Sequence, residues 1–386
     1  MTTPAVDVVL RDVFLVANNI EELGGVQRVA HNVATMLHER GHRVTVIGVD
    51  HAREPHDYGE RPYRWLVLNE RAEPAPPAVD GLRGRLDPRA RRDLARHGQA
   101  RASAVSRLSE VFAEVDDGVV VVMQVHSMNW VAAADTEHLH VIGMSHESFD
   151  ATLGSSRWER VQRFYRDLDL LLLLTEHDAS RFELEGFTNV GVMHNSLSFY
   201  PDVASDQSAK VVVAAGRLAP EKGYDRLVTA FARVAGDHPD WTLKIFGNGP
   251  LRGRLEKQVE AAGLTGRVLL PGLAGDIEAE LVASSVFALS SIHEGLPMAL
   301  AEGMACGLAC VAFDCAPGVR EIVTDGVDGI VVAPRNVDAL AAGLSRLMGD
   351  EELRRTYGRT ARESVRRFAP EAILAAWEQT FAVVER

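Results

Sequence analysis

Short apolar runs alternate with amphipathic stretches from one end of this chain to the other. Runs of four to eight apolar residues, too short for helices and bounded by polar or turn residues, read as buried strands. In the first half they fall near 12–17, 43–49, 63–68, 118–125, 139–144, 169–174 and 190–193. In the second half they fall near 210–215, 242–247, 267–270, 286–290, 309–313 and 329–332. Between them, apolar residues recur at spacings of three and four and predict helices over 26–40, 222–236, 251–262, 275–283, 298–306, 336–348 and 351–367. Strict alternation of continuous apolar strands with helices calls for parallel sheets covered on both faces, an α/β fold. Around Asn195–Ser208 the pattern lapses into polar residues with Pro201, which marks a linker. Pro370 then separates two helices, so 371–386 is a distinct last helix carrying Ile373, Leu374, Trp377, Phe381 and Val384.

Two strand-to-helix turns in the second half carry chemistry. After the run Ser285–Ser290 comes Ser291-Ile292-His293-Glu294-Gly295-Leu296-Pro297-Met298-Ala299-Leu300-Ala301-Glu302. Glu294 thus sits in the turn at a strand's carboxyl end, and Glu302 faces the same mouth from the first turns of the following helix. That is where ligands bind in parallel α/β sheets. Peptide N–H groups at the helix start suit phosphate, and ionised carboxylates accept directed hydrogen bonds from neighbouring hydroxyls. The second turn, Ala215-Gly216-Arg217-Leu218-Ala219-Pro220-Glu221-Lys222-Gly223, brings the cations Arg217 and Lys222 to another strand end. Arginine offers a planar fork to phosphate oxygens and lysine a compact point charge. A carboxylate pair alone reads as a solvated turn. With a cation pair on a second strand of one sheet, it reads as a site for a diphosphate carrying sugars.

The runs "GRLAPEKGYDRLVTAF", "IFGNGP", "SSIHEGLPMALAEGMACGLACVAFD" and "GVREIVTDGVDGIVV" resemble the retaining nucleotide-sugar glycosyltransferases of family four, which have the GT-B fold. "ELGGVQRVAHNVATMLHERGHRVTVIG" is similar to that family's Gly-Gly turn and first helix. The resemblance implies two Rossmann-like, doubly wound domains facing across a cleft: an acceptor-binding domain over 1–199 and a donor-binding domain over 200–370. In the resembled fold helix 371–386 crosses back onto the first domain; from the residues alone, packing on its own domain is the alternative. The resemblance also implies transfer of a hexosyl unit from a UDP-sugar to an acceptor hydroxyl with retained configuration, GDP-mannose being the alternative donor. The diphosphate itself takes the acceptor proton. Catalytic roles fall to His126, Arg217, Lys222 and Glu294. Donor contacts are expected from Gly24, Gly25, Gly216, Arg217, Lys222, Gly247, Leu273, Ala274, Glu294, Gly295, Leu296, Met298, Ala299 and Glu302, with Glu302 on the ribose. His146 and Asn129 are the acceptor-side candidates. No cofactor or metal is expected, since Arg217 and Lys222 supply the charge that a metal would. A partner of another class, an interaction protein that keeps only the fold, is disfavoured by the intact Arg217, Lys222, Glu294 and Glu302.

Composition adjusts this picture in few places. At 386 residues the chain suits two domains, and 46 % hydrophobic with 25 % charged residues is ordinary for a globular enzyme. A net charge of −13 argues against nucleic acid as a partner. No basic segment followed by an apolar run opens the chain, which points to the cytoplasm. Cys306, Cys310 and Cys315 match no zinc spacing and read as buried thiols. Asp167-Leu168-Asp169 spells a metal signature but begins a strand rather than ending one, so it reads as a chance match. Thr175 with Asp178 reads as a helix cap, and His293 is a weak candidate turned away from Glu294. Within this acidic chain, 81–107 reverses the charge with Arg83, Arg85, Arg89, Arg91, Arg92, Arg96, Arg101 and Arg107. A solvated helical face or mobile insertion, peripheral docking on the anionic inner face of the membrane and recognition of a phosphate-bearing acceptor all fit.

Overall fold

The computed structural model describes residues 9–69 and 87–385. Compactness divides the chain into two units: Met1–Leu173 with Ala179–Met193 and Leu374–Arg386, and Leu174–Asp178 with His194–Ile373. The first contains a seven-stranded, wholly parallel sheet. Its strands are β1 (Asp12–Ala17), β2 (Arg43–Gly48), β3 (Arg64–Val67), β4 (Gly118–Val122), β5 (Leu139–Ser145), β6 (Leu170–Leu173) and β7 (Val190–Val192), in the order β3-β2-β1-β4-β5-β6-β7. The second contains six parallel strands: β8 (Val211–Ala215), β9 (Thr242–Phe246), β10 (Val268–Gly272), β11 (Val286–Leu289), β12 (Ala309–Phe313) and β13 (Gly329–Val332). Their order is β10-β9-β8-β11-β12-β13.

In both sheets the chain winds outward to one edge, returns to the middle and winds to the other. The order reverses between β1 and β4 in the first sheet and between β8 and β11 in the second. At such a switch point the loops leave neighbouring strand ends in opposite directions and open a crevice. The central strands explain themselves: Val13, Leu15, Val16, Val119–Val122, Val212, Val213, Val286 and Cys310–Phe313 are almost wholly buried, as strands covered on both faces must be.

Each predicted strand is present, within a few residues of its expected bounds. The largest difference is at β4, expected to run to Val125. Met123 still bonds to Val16 O (2.8 Å), but the chain then leaves the sheet for the turn Gln124–Ser127 and the short helix Met128–Val131. The pattern did not reveal the helix Pro88–Phe112. Only its second half buries an apolar stripe (Ala104, Leu108, Val111, Phe112), while Arg89–Arg96 is exposed on most sides. Arg83 and Arg85 lie outside the described residues.

The segment after β7 is irregular yet pinned within the second unit. Leu197 N bonds Phe368 O (2.8 Å) and Ser205 N bonds Cys306 O (2.8 Å). The last helix, Pro370–Val384, starts on its proline, where the missing N–H costs nothing. From Leu374 onward it groups with the first unit, where Glu378 pairs with Arg40 at 2.8 Å and Glu385 pairs with Arg11. Among the described residues no helix is long and apolar enough to cross a membrane.

Candidate functional site

At the switch point of the second sheet, the turns after β8 and β11 are bolted together. Ile292 N bonds Glu221 O (2.7 Å), and Ser290 Oγ donates to Lys222 O (2.9 Å). Between the β8 turn and its helix Tyr224–Val234 stands Gly223, at φ 60°, in the left-handed region. A Cβ there would lie 2.2 Å from Ser290 O, so only glycine lets the two turns approach this closely. Gly216 and Gly247 repeat the device between the ends of β8 and β9: at φ 135°, a Cβ on Gly247 would lie 1.9 Å from Gly216 O. Gly247 N also bonds Gly272 O (2.7 Å), which brings Leu273 and Ala274 beside this edge, with Leu273 exposed.

The bolted turns bring together charges that the sequence separates by 72 positions. Lys222 Nζ donates to Glu294 Oε1 at 2.7 Å, and Ser291 Oγ donates to the same oxygen at 2.6 Å. The pair is partly buried, its side chains 26 % and 12 % exposed. Arg217 is exposed on the same turn and makes no ion pair among the described residues. Glu302 is buried in the helix Met298–Ala305, which lies close on β11 because Gly303 faces the Phe287 ring. Leu296 is buried, and Gly295 O backs onto Gly318, where a Cβ would come within 2.0 Å.

Two neighbours register the Glu294 charge. Burial, and then that carboxylate, raise the Tyr224 hydroxyl well above its ordinary value. The same two causes, in the same order, push the Cys315 thiol up to about 12. Cys315 lines a cavity of about 410 Å³ with His177, Asp314, Arg320 and Glu321. All three cysteines are free, and Cys306 and Cys310 are buried.

The first unit's switch point holds the other candidates. Gly24 caps the helix Gly25–Glu39 at an ordinary extended φ of −151°. Among the described residues, a Cβ on Gly25 would meet nothing within 4 Å beyond its own helix turn, so packing does not require glycine there. The loop ahead of it is stapled by residues 51–63. Tyr58 donates to Glu22 O (2.5 Å), His56 N to Glu21 O (2.6 Å) and Ala52 N to the Glu21 carboxylate (2.9 Å). Beneath them, His31 Nε2 lies 2.7 Å from Ile20 O and Nδ1 lies 2.6 Å from the Tyr63 hydroxyl. A carbonyl can only accept, so Nε2 carries the proton and Tyr63 donates to Nδ1. Burial holds His31 below its usual value, which keeps this neutral tautomer.

His126 is exposed beyond β4. Desolvation lowers its pKa, and the cations Arg160 and Arg157 add to that. His146, beyond β5, joins it around a cavity of about 100 Å³ that also takes in Asn18, Thr152 and Arg157. Asn129 is turned to structural use: its Nδ2 donates to His126 O (2.9 Å), and its own carbonyl accepts from Arg101 (2.8 Å).

The family model for glycosyl transferases group 1 matches residues 200–364, and that for glycosyltransferase family 4 matches residues 23–197. The chain belongs to the group 1 glycosyltransferases. An exopolysaccharide phosphotransferase of Streptomyces coelicolor is 34 % identical over 258 residues, 65 % of this chain but 27 % of that protein. The chain thus spans about a quarter of that relative's length. An uncharacterized glycosyltransferase of Haemophilus influenzae is 26 % identical over 93 % of this chain and 97 % of its own. Among solved structures, a mutant S. aureus TarM in complex with fondaparinux, alpha-GlcNAc-glycerol and UDP superposes with a TM-score of 0.77. It is 14 % identical and covers 98 % of this chain and 100 % of that one. That likeness shows the fold, which is GT-B.

In this group 1 glycosyltransferase, the structure gathers Gly216, Lys222, Gly247, Glu294 and Gly295 at one switch point, with Arg217 and Glu302 on its turn and helix. Gly24, Gly25, His126, His146 and Asn129 belong to the other unit. Asp169 is occupied elsewhere, accepting from Val141 N at 2.7 Å. Among the described residues no three His, Cys, Asp or Glu side chains group as metal ligands do. Thr175 and Asp178 cap their helix mutually, at 2.7 and 3.0 Å. Sequence reasoning missed Ser291, although its position three residues before Glu294 was a local signal. It also missed Tyr224, and the staple Tyr58–His31–Tyr63, whose members meet only through the fold.

Proposed function

We propose that this chain transfers a hexosyl unit from a UDP-sugar to an acceptor hydroxyl, with retention, in the assembly of a cell-envelope polysaccharide. The observation that carries the reading is the placement of Lys222, Arg217 and Glu294 on the two turns flanking the β8/β11 switch point, with Glu302 in the helix that follows the second turn. The presence of UDP and alpha-GlcNAc-glycerol in the TarM complex and the exopolysaccharide chemistry named for the Streptomyces relative support it.

Breaking the glycosidic bond puts charge on the departing diphosphate. Lys222 and Arg217 offer that charge two permanent cations, electrostatic stabilisation of the kind that is usually the largest single contribution to catalysis. The buried Glu302 accepts from the ribose hydroxyls. Glu294 accepts from sugar hydroxyls beside the reacting carbon, and Ser291 holds its carboxylate in place. Leu273 offers the base an apolar surface. Incubation with a panel of UDP- and GDP-sugars, followed by NMR of the released or transferred sugar, tests donor and stereochemistry together. A UDP-sugar consumed with its anomeric configuration kept is the expected result; inversion, or preference for GDP-mannose, overturns the corresponding part.

For the membrane, the observation is the exposed first half of the helix Pro88–Phe112. Arg101 and Arg107 donate to the carbonyls of Asn129 and Leu68, which leaves Arg89, Arg91, Arg92 and Arg96 turned outward. Near an anionic leaflet each is worth about 1 kcal/mol. Neutralising these four should abolish low-salt binding to anionic liposomes, and unchanged binding would refute the role.

A further inference from the structure

The small cavity at the first unit's switch point is polar in an unusual way. Burying a polar atom with no hydrogen-bond partner is costly, and proteins rarely tolerate it. Among the described residues, Asn18 Oδ1, both ring nitrogens of His146 and Thr152 Oγ1 are buried with no partner, and all three residues line this one cavity. Thr152 is 1 % exposed. They come from three places: the loop after β1, the end of β5 and the helix Phe149–Leu153. Such convergence of unsatisfied groups from separate elements marks a place built to receive hydrogen bonds.

Their chemistry selects the occupant. A hydroxyl, an amide and an imidazole that burial holds down to about 4 are all uncharged at neutral pH, and each can donate as well as accept. The one cation in the lining, Arg157, pairs with Glu147 at 3.1 Å. An anion would have to draw Arg157 away from Glu147, whereas a hydroxyl could satisfy a donor and an acceptor at once. Val26, Met123 and Val161 complete the walls and suit the apolar face of a sugar ring.

We propose that this cavity seats an uncharged, hydroxyl-bearing group of the acceptor, a sugar or polyol, through Asn18, His146 and Thr152. The proposal rests on the glycosyl-transfer reading and narrows its acceptor to the neutral class. The test uses full-length protein labelled with 15N-histidine, titrated with glycerol, with methyl glycosides of glucose, galactose, mannose and N-acetylglucosamine, and separately with inorganic phosphate. At least one neutral probe should shift the His146 nitrogens saturably, and phosphate should not. Thr152→Val keeps the shape and removes the unpartnered hydroxyl. It should therefore weaken that binding tenfold or more while leaving the melting temperature equal or higher. A shift with phosphate alone, no shift with any neutral probe, or a lower melting temperature in Thr152→Val would each overturn the proposal. Calorimetry with UDP on the same samples separates the two readings. UDP bound without any glycoside response sinks only the cavity proposal; a glycoside response without UDP binding sinks the donor reading.

Discussion

The Lys222–Glu294 pair lets the site be tested for stability and for chemistry by the same substitutions. Removing Lys222 strands a carboxylate whose side chain is 12 % exposed and leaves it the Ser291 hydroxyl as a donor. An exposed ion pair is worth about 0–1 kcal/mol, while breaking a fully buried one costs roughly 3–5 kcal/mol. With the lysine 26 % exposed, the loss belongs between these limits, about 1–3 kcal/mol for Lys222→Ala. Glu294→Gln should cost less, because the amide still accepts from Ser291. In a double-mutant cycle the pair should show a coupling of about 1–2 kcal/mol. A chain of two units need not unfold in one step, so the readout must be local. Trp241, buried in the core of the second unit and its sole tryptophan, supplies one through 19F NMR of 5-fluorotryptophan-labelled protein in denaturant. If Lys222 turns to the diphosphate when donor binds, saturating UDP should shrink the coupling. Turnover of a nucleotide sugar by Lys222→Ala should fall by a factor of about 100 to 1,000, the 2.7–4 kcal/mol of a donor aimed at developing charge. A coupling under about 0.3 kcal/mol, the usual limit of additivity, would show that the pair does not form in solution.

Three further outcomes follow from the same geometry. Gly223→Ala forces a left-handed backbone on alanine, about 1–2 kcal/mol, and drives a Cβ into Ser290 O, so denaturant titration read at the Trp241 resonance should show at least that loss and calorimetry a weaker UDP affinity. Glu302→Gln should weaken UDP and UDP-sugar alike, since both carry the ribose, whereas Glu294→Gln should weaken mainly the sugar nucleotide; equal loss of UDP in both would show Glu294 misassigned. His146 titrates near 6.5 when unfolded and at about 4 when folded, so its contribution to stability is complete above 6.5 and is lost as pH falls towards 4. By pH 5 that is roughly 2 kcal/mol, and a His146→Gln variant should lose correspondingly less stability between pH 7 and 5, as followed by denaturant titration read at the 5-fluorotryptophan resonance of Trp158 in the first unit.

Legibility in the sequence tracked the range of the interactions involved. Buried strands such as Val119–Val122 and Ala309–Phe313 announce themselves because both faces of a parallel sheet demand apolar residues. The order of the strands is not written locally, and it is the order that makes the β8 and β11 turns neighbours. Lys222 and Glu294 were therefore visible as candidates, while their direct contact was not. The helix Pro88–Phe112 hid because its first half buries no stripe, so periodicity had nothing to register. Asn129 suits a sugar hydroxyl by residue type alone, yet its amide nitrogen bonds the His126 carbonyl. His146 was visible as a histidine at a strand end. Its partnerless nitrogens, and those of its neighbours Asn18 and Thr152, exist only in three dimensions.

Titration calorimetry of UDP against the wild-type chain and Lys222→Ala, side by side, is the decisive measurement. It decides whether the crevice between β8 and β11 holds a nucleoside diphosphate. UDP should bind one per chain, and Lys222→Ala should lose at least tenfold in affinity with the second unit still folded by its Trp241 resonance. No UDP binding to the wild type, or equal binding to a folded Lys222→Ala, would contradict the account.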